Sequence, residues 1–411
     1  MPSTPSVLGN VTLGFEPQWN RLRRISGYRL WVDAPQHSAV DATHLLQALG
    51  DNYPFSGQRP LWLHVRNEPL LLSLLDHAAV PGIGLIIHPE LLADALLAGR
   101  VRAAHGRGTA LVWHGQPGAR MPAQHASWFS QELRALSPQE SLQALRCALR
   151  QHHDPGFAPD GGAGSPLQRG VVYEGLATPS LVEHALDQQG AAAVVGWPAE
   201  EVLHQYRYRQ ILPAQDAILA LMRALDDDAS LERIEQLLGQ EPLLTYRFLR
   251  WMNSAAMGLQ RGIDSVRPGL MAVGLSRLRE WLLAQLPHAN SDPNLVPVRF
   301  SMVLRARTME FLCEAGAEEE LRREVFLCGL FSQMDLLLGE PLGNAMARLP
   351  LSGRVESAIL GQTGPYAPWL EVATALESSH TGMIREVCRA HDVALEAANR
   401  ALLRALAGAA H

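Results

Sequence analysis

Short runs of apolar residues alternate with longer amphipathic stretches over the first part of the chain, up to Pro198. Each run is long enough for one strand, and each stretch between runs is long enough for a helix. Continuous apolar strands separated by helices are typical of a parallel sheet. The pattern therefore predicts an α/β domain, built either as a barrel or as a doubly wound sheet. The predicted strands are Arg24–Asp33, Pro60–Arg66, Gly82–His88, Gly108–Gly115, Gly170–Gly175 and Ala191–Trp197.

Helix-start residues stand where this pattern needs them. Asp41 is placed to cap the first helix, and Ser137-Pro138-Gln139-Glu140 is a capping box with proline at the first helical position. Thr178-Pro179 repeats the device. These signals indicate that the stretches between the predicted strands are helices.

The apolar spacing becomes helical after Pro198 and stays so to the end of the chain. One apolar face behind the N-cap candidate Ser230 consists of Leu231, Ile234, Leu237 and Leu238. Glu241-Pro242 begins the next helix. Further helices are predicted from Ser276, from Pro297, from Glu318 to Leu338, and from His380 onward. The predicted fold class is α/β plus all-α, in that order.

All 35 basic side chains are Arg, since the sequence contains no Lys. A Schiff-base lysine, a phosphate-loop lysine and a lysine general base are thereby excluded, whatever the fold. The formal net charge of -6 is spread along the chain. Because nucleic-acid proteins usually carry a basic domain or stripe, we do not expect nucleic acid as a partner.

The four cysteines lie far apart and form no CxxC pair, which favours buried thiols in a reducing compartment. They are Cys147, Cys313, Cys328 and Cys388. The N-terminus lacks the basic-then-apolar order of a signal peptide. The most apolar stretch, Leu70–Ile87, is interrupted by Asp76, His77 and Pro81, so it predicts no membrane span. We expect a cytoplasmic protein without a membrane partner.

The helical half resembles the HDOD domain, a helical relative of the HD phosphohydrolases. The resemblance rests on the run from Glu241-Pro242-Leu243-Leu244 to Asn253-Ser254-Ala255, followed by Ile263-Asp264-Ser265-Val266. It implies an HD-related fold over residues 212–405. An HD enzyme needs a His-Asp pair to hold a metal that activates water. Ser332 and Gln333 stand at that pair's positions, so the resemblance implies no metal site there.

The first half, residues 7–203, resembles a degenerate EAL domain, the TIM-type barrel of cyclic-di-GMP phosphodiesterases. The catalytic members hold two cations with carboxylates and an Asn, and use a Lys and a Gln. The signature Glu falls on Arg29, and the Asn falls on His64. The remaining positions fall near Ile87, on Trp113 with His114, on Glu174 and on Val195. Only Glu174 keeps a ligand type, and no Lys exists, so the resemblance implies a barrel without the family's hydrolysis.

The divergence leaves histidines at the ends of successive predicted strands: His64, His88 and His114, with Glu174 on a later strand. Barrel active sites lie at that edge. Imidazoles with one carboxylate suit Zn or Fe, so a metal-dependent hydrolase using these side chains is one alternative. The other alternative is that these histidines are ordinary polar residues near solvent. We expect no metal and no other cofactor.

We expect a tandem of EAL-HDOD type, with a linker at residues 204–211, that acts as a non-catalytic regulator through contacts with other proteins. The candidate interaction residues are Arg247, Arg250, Asn253 and Ser254. The helices around Glu241 could also be read as a helix-turn-helix with both arginines facing DNA, but several glutamates in the same region favour a protein partner. The first alternative function is a cyclic-di-GMP or nucleotide receptor without hydrolysis. The sequence identifies no protein partner.

Overall fold

The computed structural model describes residues 6–35, 40–153, 164–258, 262–313 and 318–409. These residues pack as two compact units. The barrel unit comprises the described residues up to Glu201 and again from Thr374, and the helical unit comprises Val202–Ala373. Among the described helices, none is both long enough and apolar enough to cross a membrane.

Eight strands close into a barrel in sequence order. β1 is antiparallel to both of its neighbours, β2 and β8, and all other neighbouring pairs are parallel. The predicted α/β class with a TIM-type barrel is confirmed. The strands are β1 Thr12–Trp19, β2 Ile25–Asp33, β3 Leu61–Val65, β4 Ile83–Ile87, β5 Ala110–His114, β6 Gln131–Ala135, β7 Val172–Glu174 and β8 Ala193–Val195.

Two of these strands are absent from the sequence prediction. β1 contains Gly14, Glu16 and Pro17, and β6 reads Gln-Glu-Leu-Arg-Ala, so neither shows an apolar run. Both strands form because their neighbours supply the hydrogen bonds. Pro17, which lacks an N–H, lies opposite Tyr28 in the antiparallel ladder. Tertiary pairing here overrides local composition.

The predicted caps are confirmed in the helices that cover the barrel. The Asp41 side chain accepts from the backbone N–H of His44, and the Thr178 side chain accepts from that of Leu181. In the capping box, Glu140 N–H donates to Ser137 Oγ at 3.2 Å, and Ser137 N–H donates to Glu140 Oε2 at 2.9 Å. The helices are α1 Ala42–Asn52, α2 Glu68–Asp76, α3 Glu90–Ala93, α4 Ala95–Gly106, α5 Pro138–His153, α6 Pro179–Glu183 (continued by a π turn, His184–Gln188) and α7 Ala199–His204.

One buried side chain from each of β3 to β8 contributes to a single apolar cluster in the barrel, with a second from β8. The cluster consists of Trp62, Ile86, Val112, Leu133, Val172, Ala193 and Val195. Because side chains fill the barrel, polar groups at its carboxyl end lie over a packed apolar core. That core excludes water from one side of any site at the carboxyl end.

The helical unit is all-helical, as predicted. Its helices are α8 Gln215–Asp226, α9 Leu231–Gly239, α10 Pro242–Met252, α11 Val266–Val273, α12 Leu275–Gln285, α13 Val296–Leu312, α14 Glu319–Phe331, α15 Met334–Leu338, α16 Leu342–Met346, α17 Gly353–Gly361 and α18 Ala367–Leu376, which runs past the unit's end. α13 and α14 pack closely at Gly329, where an added Cβ would lie 2.6 Å from the Cα of Ala306.

The prediction of one continuous helix from Glu318 to Leu338 was wrong. α14 ends at Phe331, and Gln333 has a non-helical backbone with φ −129° and ψ 28°. Ser332 Oγ donates to the carbonyl oxygen of Gly329 at 2.8 Å, which competes with continued helix formation. The break lies at the two residues that replace the His-Asp pair.

The C-terminal helices, α19 Thr381–Ala390 and α20 Leu395–Gly408, pack with the barrel unit. Asn399 on α20 is fully buried and bonds the chain around the start of β1. Its Nδ2 donates to the carbonyl oxygens of Leu8 and Val11, both at 2.7 Å, and its Oδ1 accepts from Leu13 N–H at 3.1 Å. The two compact units are defined by packing, whereas the predicted domains were defined by resemblance to known families. The predicted domain boundaries at residues 203, 212 and 405 therefore stay predictions.

Candidate functional site

The carboxyl end of the barrel gathers polar side chains from five strands. Arg29 lies on β2, His64 on β3 and Glu174 at the end of β7. His114 is the last residue of β5, and His88 follows β4 directly. The carboxyl ends of parallel strands meet at one rim, so residues up to 145 positions apart become neighbours.

Three histidines converge at this rim, which we call the histidine cluster: His64, His88 and His114. One ligating nitrogen from each lies within 4.8 Å of the other two. Nε2 of His64 and Nε2 of His88 are 3.0 Å apart, so one nitrogen donates a proton to the other. The ring centroid of His114 lies 4.9 Å from that of His88. The sequence placed these residues at strand ends, and the structure brings them together.

His64 is the most enclosed member of the cluster, with 7% of its surface exposed. The indole of Trp31 stacks on its ring, with centroids 3.8 Å apart and planes inclined by 25°. Trp31 pairs with His64 across the β2–β3 ladder, which explains the contact. The stack fixes the plane of one imidazole before any ligand binds.

Beside the cluster, the Arg29 guanidinium is held between two carboxylates. It bonds Glu16 through Nη2 at 2.7 Å and Nε at 2.9 Å, and it bonds Glu174 through Nη1. Arg29 is 4% exposed, and Trp31 Nε1–H donates to the same Glu16 oxygen at 2.6 Å. The other oxygen of Glu174 accepts from His114 Nε2 at 2.6 Å. Glu174 therefore joins the arginine to the histidine cluster.

The surroundings set the protonation of the site. Burial, with His88, Arg29 and His114 adding to it, lowers the pKa of His64 to about 2. Burial also lowers the pKa of His88. Burial alone would raise the pKa of Glu174, but the His114 hydrogen bond and the Arg29 charge outweigh it and lower that pKa to about 2. At neutral pH the site thus holds two neutral imidazoles and an ionised carboxylate.

Three positions matched to the family set are buried and contribute no polar group to this site. Ile87 is fully buried, and its neighbour His88 reaches the rim instead. Trp113 is 1% exposed, and Val195 belongs to the apolar cluster inside the barrel. The resemblance placed a family Glu near Ile87, which is buried. The position of His88 at the end of a predicted strand was the signal that identified it as a residue of the rim.

The donor set does not fit the two cations of an EAL phosphodiesterase. Mg²⁺ and Mn²⁺ prefer oxygen ligands, and the rim offers imidazoles. Two carboxylates at the rim, Glu16 and Glu174, already bond Arg29. A hard cation would meet the guanidinium's positive charge where it needs an oxygen.

In the helical unit, Ser332 and Gln333 stand at the positions that the sequence resemblance matches to a His-Asp pair, and neither side chain is an imidazole or a carboxylate. Ser332 Oγ bonds the Gly329 carbonyl and also accepts from Arg305 at 3.3 Å. Within the described part of the chain, the histidine cluster is the group of three His, Cys, Asp or Glu side chains with metal-site spacing.

The predicted interaction residues have different environments. Arg250 is exposed, whereas Arg247 is half-buried and donates to Gln285 Oε1 at 3.3 Å. Asn253 bonds Ile263 on both backbone groups, at 2.8 and 2.7 Å, so its amide holds a turn together. Ser254 is half-buried. A partner-binding role for these four residues stays a prediction.

Comparison with known proteins gives one family match and several distant relatives. The HDOD domain family matches residues 212–338. The YuxH protein of Bacillus subtilis is 25% identical over 161 residues, which is 38% of each chain. Cyclic di-GMP phosphodiesterase CdgJ of Vibrio cholerae is 23% identical over 200 residues, covering 48% of this chain and 46% of that protein. The alignments thus span less than half of the length of either relative.

Among solved structures, the EAL enzyme Bd1971 in its cGMP-bound form is 13% identical, with a TM-score of 0.30 over 46% of this chain and 60% of that one. The barrel and the helical domain follow one another in the order that the sequence resemblance predicts. The part of the chain that matches the HDOD domain family, residues 212–338, follows a closed eight-stranded barrel.

Proposed function

We propose that this protein is a non-catalytic regulator in cyclic-di-GMP signalling that acts through contacts with other proteins. The observation that carries the proposal is the ion-paired Arg29 at the barrel rim. A guanidinium bound by two carboxylates supplies internally the positive charge that cations supply in a phosphodiesterase. A water molecule there would have no pair of metals to activate it.

The protein also lacks any lysine, so the family's full catalytic set is absent without reference to the alignment of single positions. We also propose a cytoplasmic location. All four cysteines are buried thiols, which suits a reducing compartment. The related phosphodiesterase from Vibrio cholerae supports the connection to cyclic di-GMP.

The helical unit offers apolar surface for a protein partner. Met271 on α11 is 70% exposed, and Leu275 and Leu283 on α12 are 44% and 45% exposed. Large apolar side chains exposed on consecutive helices favour contact with another protein. The candidate residue Arg250 lies on α10, in the same unit.

Hydrolysis is tested by incubating the full chain with cyclic di-GMP and Mg²⁺, Mn²⁺ or Zn²⁺, and separating the products by chromatography. We expect no linear dinucleotide above the protein-free control. Product formation that Glu174→Gln abolishes would overturn the proposal. Calorimetry with cyclic di-GMP separates the receptor alternative, because tight stoichiometric binding would favour a receptor over a protein-contact regulator.

The partner role is tested by affinity capture from the native cell with wild-type protein, Leu275→Glu and Leu96→Glu. Leu96 is 82% exposed and lies in the barrel unit, so it is a matched control. We expect a partner captured by the wild type and by Leu96→Glu but lost from Leu275→Glu. Equal capture by all three proteins would argue against this surface.

A further inference from the structure

The histidine cluster has the geometry of a site for one transition-metal ion. In a tetrahedral zinc site with Zn–N distances near 2.0–2.1 Å, two ligating nitrogens stand roughly 3.3 Å apart. Nε2 of His64 and Nε2 of His88 stand 3.0 Å apart. One ring nitrogen from each of the three histidines lies within 4.8 Å of the other two. A movement of about 1.5 Å by one half-buried ring would bring nitrogens 4.8 Å apart to about 3.3 Å and complete the three-nitrogen face.

His114 is oriented as a metal-ligating histidine would be. Its Nε2 donates to Glu174 at 2.6 Å, which leaves the lone pair on Nδ1. That Nδ1 atom is buried and has no hydrogen-bond partner among the residues that the structure describes. A carboxylate behind a ligating imidazole fixes its tautomer and raises its basicity, as in many zinc sites. Glu174 therefore supports a ligand, while its other oxygen bonds Arg29.

The charge and surroundings of the site also suit a cation. Arg29 carries one positive charge, its two partners, Glu16 and Glu174, carry two negative ones, and Glu90 adds a further carboxylate near His88 and His114, so the charge beside the cluster is negative. His64 is more than nine-tenths buried, and its Nδ1 is also without a hydrogen-bond partner within the described ranges. A bound cation would offset the net charge in a region of low dielectric.

We propose that His64, His88 and His114 bind a single Zn²⁺ ion at the carboxyl end of the barrel, with Glu174 as the carboxylate that orients His114. Imidazole ligands select Zn²⁺ over Mg²⁺ and Ca²⁺, which take oxygen. The inference concerns binding and goes beyond the regulatory role proposed above.

The test uses the full chain, treated with chelator and titrated with ZnCl₂ by calorimetry in excess Mg²⁺. We expect one ion per chain for the wild type. His88→Ala should weaken the affinity by at least 100-fold, since it removes one of three ligands. His105→Ala, which removes an exposed histidine of the same unit, should leave the affinity unchanged.

Co²⁺ provides a second measurement that does not depend on any variant. Bound to the wild type, it should give the visible absorption of a four-coordinate site, and one equivalent of Zn²⁺ should abolish that absorption. A wild type that binds less than about 0.2 Zn²⁺ per chain, or a His88→Ala protein that folds and binds as the wild type does, would overturn the proposal. Neither result depends on whether cyclic di-GMP is hydrolysed, so the two proposals fail separately.

Discussion

Replacing Asn399 by alanine should destabilise the barrel unit strongly, although the residue lies 386 positions from one of its partners. The side chain is fully buried on α20 and makes three hydrogen bonds to the backbone around the start of β1. The variant keeps the helix, because alanine is the better helix former. It removes the amide that donates to Leu8 C=O and Val11 C=O and accepts from Leu13 N–H.

The magnitude follows from the three bonds. Each hydrogen bond contributes about 1 kcal/mol net, and a buried backbone group left without a partner costs about 1–3 kcal/mol. Water entering the space left by the amide would recover part of that. We therefore expect a loss of about 3–5 kcal/mol. Asn399→Asp is a sharper variant, since a carboxylate of equal size offers no donor to the two carbonyls.

Hydrogen exchange measured by mass spectrometry on the segment covering β1 suits a protein of two units, because it reports opening locally. A loss of about 3–5 kcal/mol corresponds to exchange about 150- to 5,000-fold faster there. Asn52→Ala is the control: Asn52 is half-buried on α1 and makes one bond, to Ala48 C=O at 2.9 Å. Unchanged protection of β1 in Asn399→Ala would refute the view that α20 stabilises the barrel.

Two further predictions concern buried charge. Glu241→Ala should destabilise the helical unit by about 3–5 kcal/mol in urea unfolding, because it removes the carboxylate paired with a buried arginine. Glu241 lies 2.9 Å from Nε of Arg299, whose side chain is 6% exposed. The control is Glu280→Ala, at an exposed position, and equal unfolding midpoints for the two variants would contradict the reasoning. Glu174→Gln should lose stability in a pH-dependent way. The pKa of Glu174 is lowered from 4.5 to about 2, so the carboxylate's stabilisation is complete above about pH 4.5 and is lost as the pH falls towards 2. The difference between wild type and Glu174→Gln, followed by thermal unfolding, should shrink over that range, and a constant difference would contradict the ion-pair account.

Local signals in the sequence were sufficient for most helices. The caps at Asp41, Ser137, Thr178 and Ser230 are formed by residues within three positions of one another, so no distant contact is needed to predict them. The six predicted strands were found because buried parallel strands are continuously apolar. The order of an α/β half and an all-helical half followed from the change in spacing.

The strands β1 and β6 could not be predicted in this way, because their composition is polar or interrupted and their pairing partners are distant in sequence. The break in the helix after Phe331 depends on a single side-chain bond from Ser332. The return of α19 and α20 to the barrel unit has no local signal either. An amphipathic helix shows that it has a partner surface without showing which one.

For the candidate site, the sequence by itself determined the available chemistry: no lysine, a lone matching carboxylate at Glu174, and histidines at strand ends. Only the tertiary structure decided the geometry. Barrel closure brings three imidazoles within 4.8 Å, and the antiparallel β1 places Glu16 opposite Arg29. The physical reason is that the residue type at each strand end can be read from the local sequence. The distances and charge pairs at the rim arise between strands that meet only when the barrel closes.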